Sequence, residues 1–206
     1  MKHHILEKLT IPEGISCEYT NKVMRCTNSK KSLEKKISVP STEIKIHSNE
    51  IILDCKKGNK NNFKGIMSAI AHIKNLFAGL QENFIYRLES CNVHFPMTMK
   101  IEGEKVKINN FLGEKVPREA KILPGVEVKI DGPKITVSSS DREAAGQTAA
   151  NLEKATKLRG RDKRIFQDGI YITEKPGRSS FAAVRKPTAE RGASQQERIE
   201  DNGGSS

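Results

Sequence analysis

The chain has 206 residues with 36 Lys and Arg against 25 Asp and Glu, a formal net charge of +11, and 35% hydrophobic residues. That apolar content fills two modest cores better than one large one. No apolar run approaches the length of a bilayer span and no charged start precedes an apolar leader, so the expectation is a protein without a membrane segment, in a reducing intracellular setting.

In chain order, the first periodic segment is "IPEGISCEY" (11–19), where Ile15, Cys17 and Tyr19 alternate before a polar break at Thr20 to Lys22. Such alternation is the period of a half-buried strand. A lysine cluster follows at Lys30, Lys31, Lys35 and Lys36, read as solvated surface. Next comes "FKGIMSAIAHIKNLFAGL", with Phe63, Ile66, Ile70, Ile73, Phe77 and Leu80 at spacings of three and four. That is one apolar helix face, which must be buried against a sheet. The segment 86–115 reads as several strands, with turns at Glu102 and Gly103 and around Asn109.

"LPGVEVKI" (123–130) alternates again, "DGP" (131–133) breaks it and "KITV" returns as a hairpin partner. A second helix is expected from Ser140, where Ser140 and Glu143 form an SxxE capping box and Ala145, Ala149, Leu152 and Thr156 follow at helical spacing. Both halves therefore carry strands and one clear helix, and the openings "IPEG" and "LPG" suggest that 11–19 and 123–130 are equivalent. The fold class is α+β: two similar domains, each an antiparallel sheet packed against one main helix. The expected boundaries are 1–84, 85–174 and a polar tail over 175–206. The tail is poor in large apolar residues and is read as extended or disordered.

GxSxG, P-loop, GxGxxG and HExxH patterns do not occur, and the five His stand in no pattern with a nucleophile. Cys17, Cys26, Cys55 and Cys91 form no CxxC and read as small core residues. Cys91 and His94 make a CxxH, but no second pair completes a tetrahedral zinc site. No catalytic residue, metal, cofactor or small-molecule substrate is expected.

The cationic surplus points instead to a polyanion, because each cation set at a phosphate releases condensed counterions. It is densest in "LEKATKLRGRDKRIFQDGIYI", where Lys154, Lys157, Arg159, Arg161, Lys163 and Arg164 fall within eleven residues with only Asp162 among them to offset the charge. The chain has no Trp and few Tyr or Phe for base stacking, so contact to backbone and shape is expected, of folded RNA or of duplex DNA.

Four stretches, "VHFPMTMKI", "INNFLGEKVPR", "PGVEVKI" and above all "NLEKATKLRGRDKRIFQDGIYI", resemble the universal large-subunit ribosomal protein family six, called nine in eukaryotes. The "FQDGIYI" ending resembles its archaeal and eukaryotic branch. The resemblance spans roughly residues 1–175 and implies a duplicated α+β fold, no enzymatic activity, and binding to large-subunit ribosomal RNA beside the sarcin/ricin loop and the stalk base, with neighbouring large-subunit proteins. It implies a place on the cytoplasmic ribosome.

In that setting Lys154, Lys157, Arg159, Arg161, Lys163 and Arg164 are the expected phosphate contacts, with Gly160 allowing close approach and Asp162 orienting a neighbouring Arg. Gly113, Lys115 and Arg118 of "NNFLGEKVPR" are a second expected contact, over a turn anchored by Phe111 and Leu112; a purely structural turn is the alternative. A solvated helix end favoured by its own dipole is the alternative for the first cluster. Relatives commonly carry a "GPRG"-like turn in the first repeat where this chain has "TNSKKSL", and the tail runs past the usual family end with Arg178, Arg185 and Lys186 available for RNA or a protein neighbour. A non-ribosomal RNA or DNA binder using the same fold is the competing reading. An enzyme on nucleotides or sugars has only unassigned carboxylates behind it.

Overall fold

The computed structural model describes residues 3–177 apart from 30, 48 and 163. The first half runs β1 (His3–Thr10), β2 (Ile15–Thr20), β3 (Val23–Asn28), β4 (Ser32–Lys36), β5 (Glu43–His47), β6 (Glu50–Gly58) and α1 (Lys60–Gln81). The second runs β7 (Phe84–Cys91), β8 (Thr98–Glu102), β9 (Lys105–Asn109), β10 (Arg118–Lys121), β11 (Glu127–Asp131), β12 (Lys134–Ser139), α2 (Arg142–Ala155) and β13 (Gly169–Glu174). Two antiparallel sheets form in each half: β1-β6-β5 with β2-β3-β4, then β7-β12-β11 with β8-β9-β10. The one topological difference is β13, which pairs on the far side of β7, where β1 has no partner strand among the described residues.

The repetition extends to single hydrogen bonds. The Ile11 amide donates to Asn49 O at 2.9 Å as Ser90 donates to Pro133 O at 2.8 Å, and Ile37 donates to Lys22 O as Ile122 donates to Glu104 O, both at 2.8 Å. These matches correct the equivalence expected from the Pro-Gly openings. The counterpart of "LPGVEVKI" is "VPSTEIKI" at 39–46, which leads into β5 as the former leads into β11. Ser41 takes a left-handed φ of 58° where Gly125 has 76°, so the same turn is made with and without glycine.

Each half has its own core. In the first, Ile66, Ile73, Phe77 and Leu80 of α1 meet Met24, Ile51, Leu53 and Cys55 of the sheets. Burying each of the Ile, Leu, Phe and Met side chains among these contributes about 1.5–3 kcal/mol. Asn59 caps α1 by accepting from the Asn61 and Asn62 amides, so the helix starts three residues before Phe63. Phe63 then falls in the first turn and stays 40% exposed, contrary to its expected place on the inner face. The second core joins Leu88, Val106, Ile108, Phe111, Ile135 and Val137 to Ala145, Ala149 and Leu152 of α2. Small residues let this helix sit close: a Cβ on Gly146 would come 2.9 Å from the Tyr86 hydroxyl.

The expected capping box is not formed. Asp141 is the N-cap of α2 and accepts from the Glu143 amide, while the Ser140 hydroxyl bonds Asn83 Oδ1 at 3.0 Å. Ser140 belongs to the junction between the halves. There Lys31 Nζ donates to Asn83 Oδ1 at 2.7 Å and to Ser140 Oγ at 3.1 Å, Lys35 pairs with Glu143, and His72 Nδ1 lies 2.9 Å from the same carboxylate. Two of the four clustered lysines therefore bridge the halves and are not simply solvated; Lys30 lies outside the described residues. A Lys35 hydrogen bond holds the Glu143 carboxyl below its usual range against the effect of burial.

Candidate nucleic-acid interface

Helix α2 ends at Ala155, with Thr156 as its C-cap, so Lys154 occupies the last turn and Lys157 already lies beyond it. The buried Thr156 hydroxyl accepts the Ile170 amide at 2.9 Å, which ties the end of α2 to the start of β13. The described residues between, 157–162 and 164–168, form the cationic loop. Gly160 has φ +66° with open space around its Cβ position, the backbone freedom expected of it.

Lys154, Lys157 and Arg159 line an open groove of about 680 Å³ between α2 and β10. Lys121, on β10, lines the same groove and was not singled out from the sequence; a lone lysine on a short strand carries no local signal. Among the described residues these four cations make no ion pair. Lys163 falls outside the described residues, as do Arg178, Arg185 and Lys186 of the tail.

The other arginines are held by neighbours. Arg164 Nε and Nη2 lie 3.3 and 3.1 Å from the Asp162 carboxylate, which also accepts the Arg164 amide at 2.9 Å. That amide bond, then the guanidinium, lowers the Asp162 pKa. The Arg161 guanidinium rests 4.9 Å from the Phe166 ring centroid, and Phe166 stands 5.0 Å from the His94 ring. His94 ends this stack on Asp168.

Asp168 is almost fully buried. It accepts the Val93 and His94 amides at 2.8 and 2.9 Å and the His94 ring nitrogen at 2.6 Å. Burial acts to raise its pKa, but the His94 amide and ring and the Val93 amide outweigh it and bring the carboxyl down to about 2. A buried charge persists only when bonded in this way. Asp168 thus staples the 92–97 loop beneath the cationic loop.

The "NNFLGEK" turn closes the third side. Asn110, Leu112 and Gly113 take left-handed φ values of 58°, 51° and 77°, Phe111 is buried and Asn110 donates to Pro96 O at 2.9 Å. Gly113 faces the Phe95 ring, and Lys115 is exposed. Arg118 is an internal brace: Nε and Nη2 bond the Glu114 carboxylate at 2.8 and 2.6 Å, and Nη1 donates to Ala155 O at 2.9 Å and Lys157 O at 3.4 Å. Its guanidinium also lies 4.3 Å from the Phe111 centroid. The Arg118 hydrogen bonds lower the Glu114 pKa against burial, with Arg161 adding to the effect. Of the expected contacts, the geometry gathers Lys154, Lys157, Arg159, Gly160, Arg161 and Arg164 with the Gly113–Lys115 turn, and sets Arg118 beneath them. Val93, Phe95, Val116 and Ile165 stand exposed around the same loops.

His94 has its ring nitrogen engaged by Asp168, and no group of three or more His, Cys, Asp or Glu fit to hold a metal occurs among the described residues. No helix of the described residues is long and apolar enough to cross a membrane.

A cationic groove and loop are mounted on a duplicated α+β scaffold, an arrangement suited to a polyanionic partner. The comparisons agree: residues 95–169 match the family model described as Ribosomal protein L6. The chain is similar to "Large ribosomal subunit protein uL6" of Methanococcus vannielii, 41% identical over 174 residues, covering 84% of this chain and 96% of that one. It is similar to the protein of the same description in Methanosarcina mazei, 39% identical over 175 residues, covering 85% of this chain and 99% of that one. The chain belongs to the uL6 family of large-ribosomal-subunit proteins. It is a structural ribosomal component and not an enzyme.

Proposed function

We propose that the second half binds folded large-subunit ribosomal RNA through the groove of Lys121, Lys154, Lys157 and Arg159 and the loop carrying Arg161 and Arg164, with the Gly113–Lys115 turn alongside. The observation that carries this reading is the set of cations in one groove that make no ion pair among the described residues, next to a loop braced from beneath by Asp168, His94 and Phe166. Arg donors grip phosphate oxygens in a fork whereas Lys acts as a point charge, so Arg159 and Arg161 give orientation and the lysines add affinity. Arg164 acts from a position fixed by Asp162. Arg118 contributes by holding the turn against the end of α2.

The resemblance of the 151–172 motif supports a position beside the sarcin/ricin loop and the stalk base, with large-subunit proteins as neighbours. The same reading divides the chain at 1–84, 85–174 and 175–206, with the tail reaching RNA or protein through Arg178, Arg185 and Lys186. Density-gradient sedimentation of cell extract tests the assignment. The wild-type chain is expected with the large subunit, in normal and in magnesium-depleted gradients. The variant with Arg159, Arg161 and Arg164 all changed to Ala is expected to be depleted there and enriched at the top. A wild-type chain found only at the top would make the fold a free-standing nucleic-acid binder.

A further inference from the structure

The β2–β3 hairpin holds two sulfurs together. Its turn is Asn21–Lys22, both with left-handed φ (52° and 65°), and Thr20 pairs with Val23 across it. This is a two-residue turn of the I′ kind, which fixes the register of everything behind it. Counting back from the closing pair, hydrogen-bonded and non-hydrogen-bonded pairs alternate, which makes Cys17 and Cys26 a non-hydrogen-bonded pair. In such pairs the Cα atoms stand about 4.5 Å apart, inside the span of about 4.4–6.8 Å that a disulfide bridges. The thiols are already in contact, with Sγ to Sγ at 3.0 Å.

The two cysteines differ in access. Cys26 is fully buried among Met24, Leu53 and Ile66, while Cys17 is half-buried. Glu18 and Arg25, the neighbouring pair, project to the opposite face of the hairpin, where Arg25 meets Glu34. The group facing Cys17 is therefore the Cys26 thiol, whose hydrogen bond favours the Cys17 thiolate against the opposing effect of burial. Cys55 is buried and Cys91 belongs to the other half.

We propose that Cys17 and Cys26 are a peroxide-oxidisable dithiol, Cys17 the attacking and Cys26 the resolving residue. The Cys17 sulfur attacks one oxygen of a hydroperoxide and the O–O bond breaks. Water or an alcohol leaves, and Cys17 becomes a sulfenic acid. The Cys26 sulfur then attacks the Cys17 sulfur, the S–S bond forms, and the Cys17 hydroxyl leaves as water with the Cys26 proton. Two electrons pass from the dithiol to the hydroperoxide. The product is a cross-strand disulfide that locks the β2–β3 hairpin.

The test exposes the full chain to hydrogen peroxide, alkylates remaining thiols in denaturant, digests with trypsin without reduction and reads the peptides by mass spectrometry. Cleavage after Lys22 or Arg25 separates the two cysteines, so the expected product is a linked pair of peptides lighter by two hydrogens than the two thiol forms. Cys55 and Cys91 are expected to be recovered alkylated at the same dose. In Cys26→Ser and Cys26→Ala, dimedone capture of the Cys17 sulfenic acid is expected to rise about tenfold over wild type. Three results would overturn the proposal: Cys17 recovered alkylated at a dose that oxidises Cys91, Cys17 linked to another cysteine, or Cys17 carried to the sulfinic acid with no link to Cys26. The wild-type digest decides the matter even if a Cys26 variant fails to fold.

Discussion

His94 Nδ1 lies 2.6 Å from the Asp168 carboxylate across 74 residues of chain. This contact, with the two amides that share the carboxylate, makes one body of the 92–97 loop and the cationic loop. The rigidity of the proposed RNA face therefore depends on a residue that does not reach it.

Asp168→Asn keeps an oxygen for the amides but removes the charge and turns an NH2 toward His94. The expected cost is about 1–3 kcal/mol of unfolding free energy, read by urea titration at neutral pH. The pH dependence has a definite sign. The unfolded carboxyl titrates near 3.8 and the folded one near 2, so the unfolded chain binds the extra proton between these values. The stabilisation is fully present above about pH 4 and is lost as pH falls through about 2. Asp168→Asn should flatten the acid limb of stability in that window; an unchanged limb would mean that the Asp168 carboxyl does not carry it.

Arg118→Lys tests the brace. Lysine keeps the charge but cannot bond both Glu114 oxygens and the Ala155 carbonyl at once. We expect a loss of about 1–2 kcal/mol in chemical unfolding and faster amide exchange in both 110–117 and 157–167. Wild-type exchange in both segments would mean that the turn and the loop are independent.

Much of this fold is legible in the sequence because its signals are local. The alternation of Val126, Val128 and Ile130 and the three-four spacing from Ile66 to Leu80 each follow from one element. Matching the repeats by Pro-Gly failed because turn residues can be exchanged, as Ser41 and Gly125 show; the pattern shared by "PSTEIKI" and "PGVEVKI" was the better guide. Ser140 and Asp141 are adjacent residues both able to cap, and only the contact with Asn83 decides between them. The cationic loop was visible as charge. Its support was not, since His94, Phe166 and Asp168 meet only in the folded chain. The lone acid preceding buried Gly169 and Ile170 was the available hint.

Gly79→Ala separates close packing from helix propensity. In an open helix this change adds up to about 1 kcal/mol of stability. Here the new Cβ would fall 2.0 Å from the Ser140 carbonyl oxygen, at the junction of the halves. The expected result is a net loss of about 1–3 kcal/mol, with faster amide exchange around Asn83 and Ser140. A stabilised variant would show that the junction yields at little cost.

The cations from Lys154 to Arg164 are proposed to neutralise ribosomal RNA phosphates. The most direct test is the salt dependence of binding to deproteinised large-subunit RNA, for the wild-type chain and for the variant with Arg159, Arg161 and Arg164 all changed to Ala. Each lost phosphate contact lowers the slope of log K against log salt by about 0.7–0.9. The expected slope for the triple variant is shallower by about 2–3, with little change in folded stability. An equal slope in the two proteins would contradict the proposal and move the RNA contact to another face.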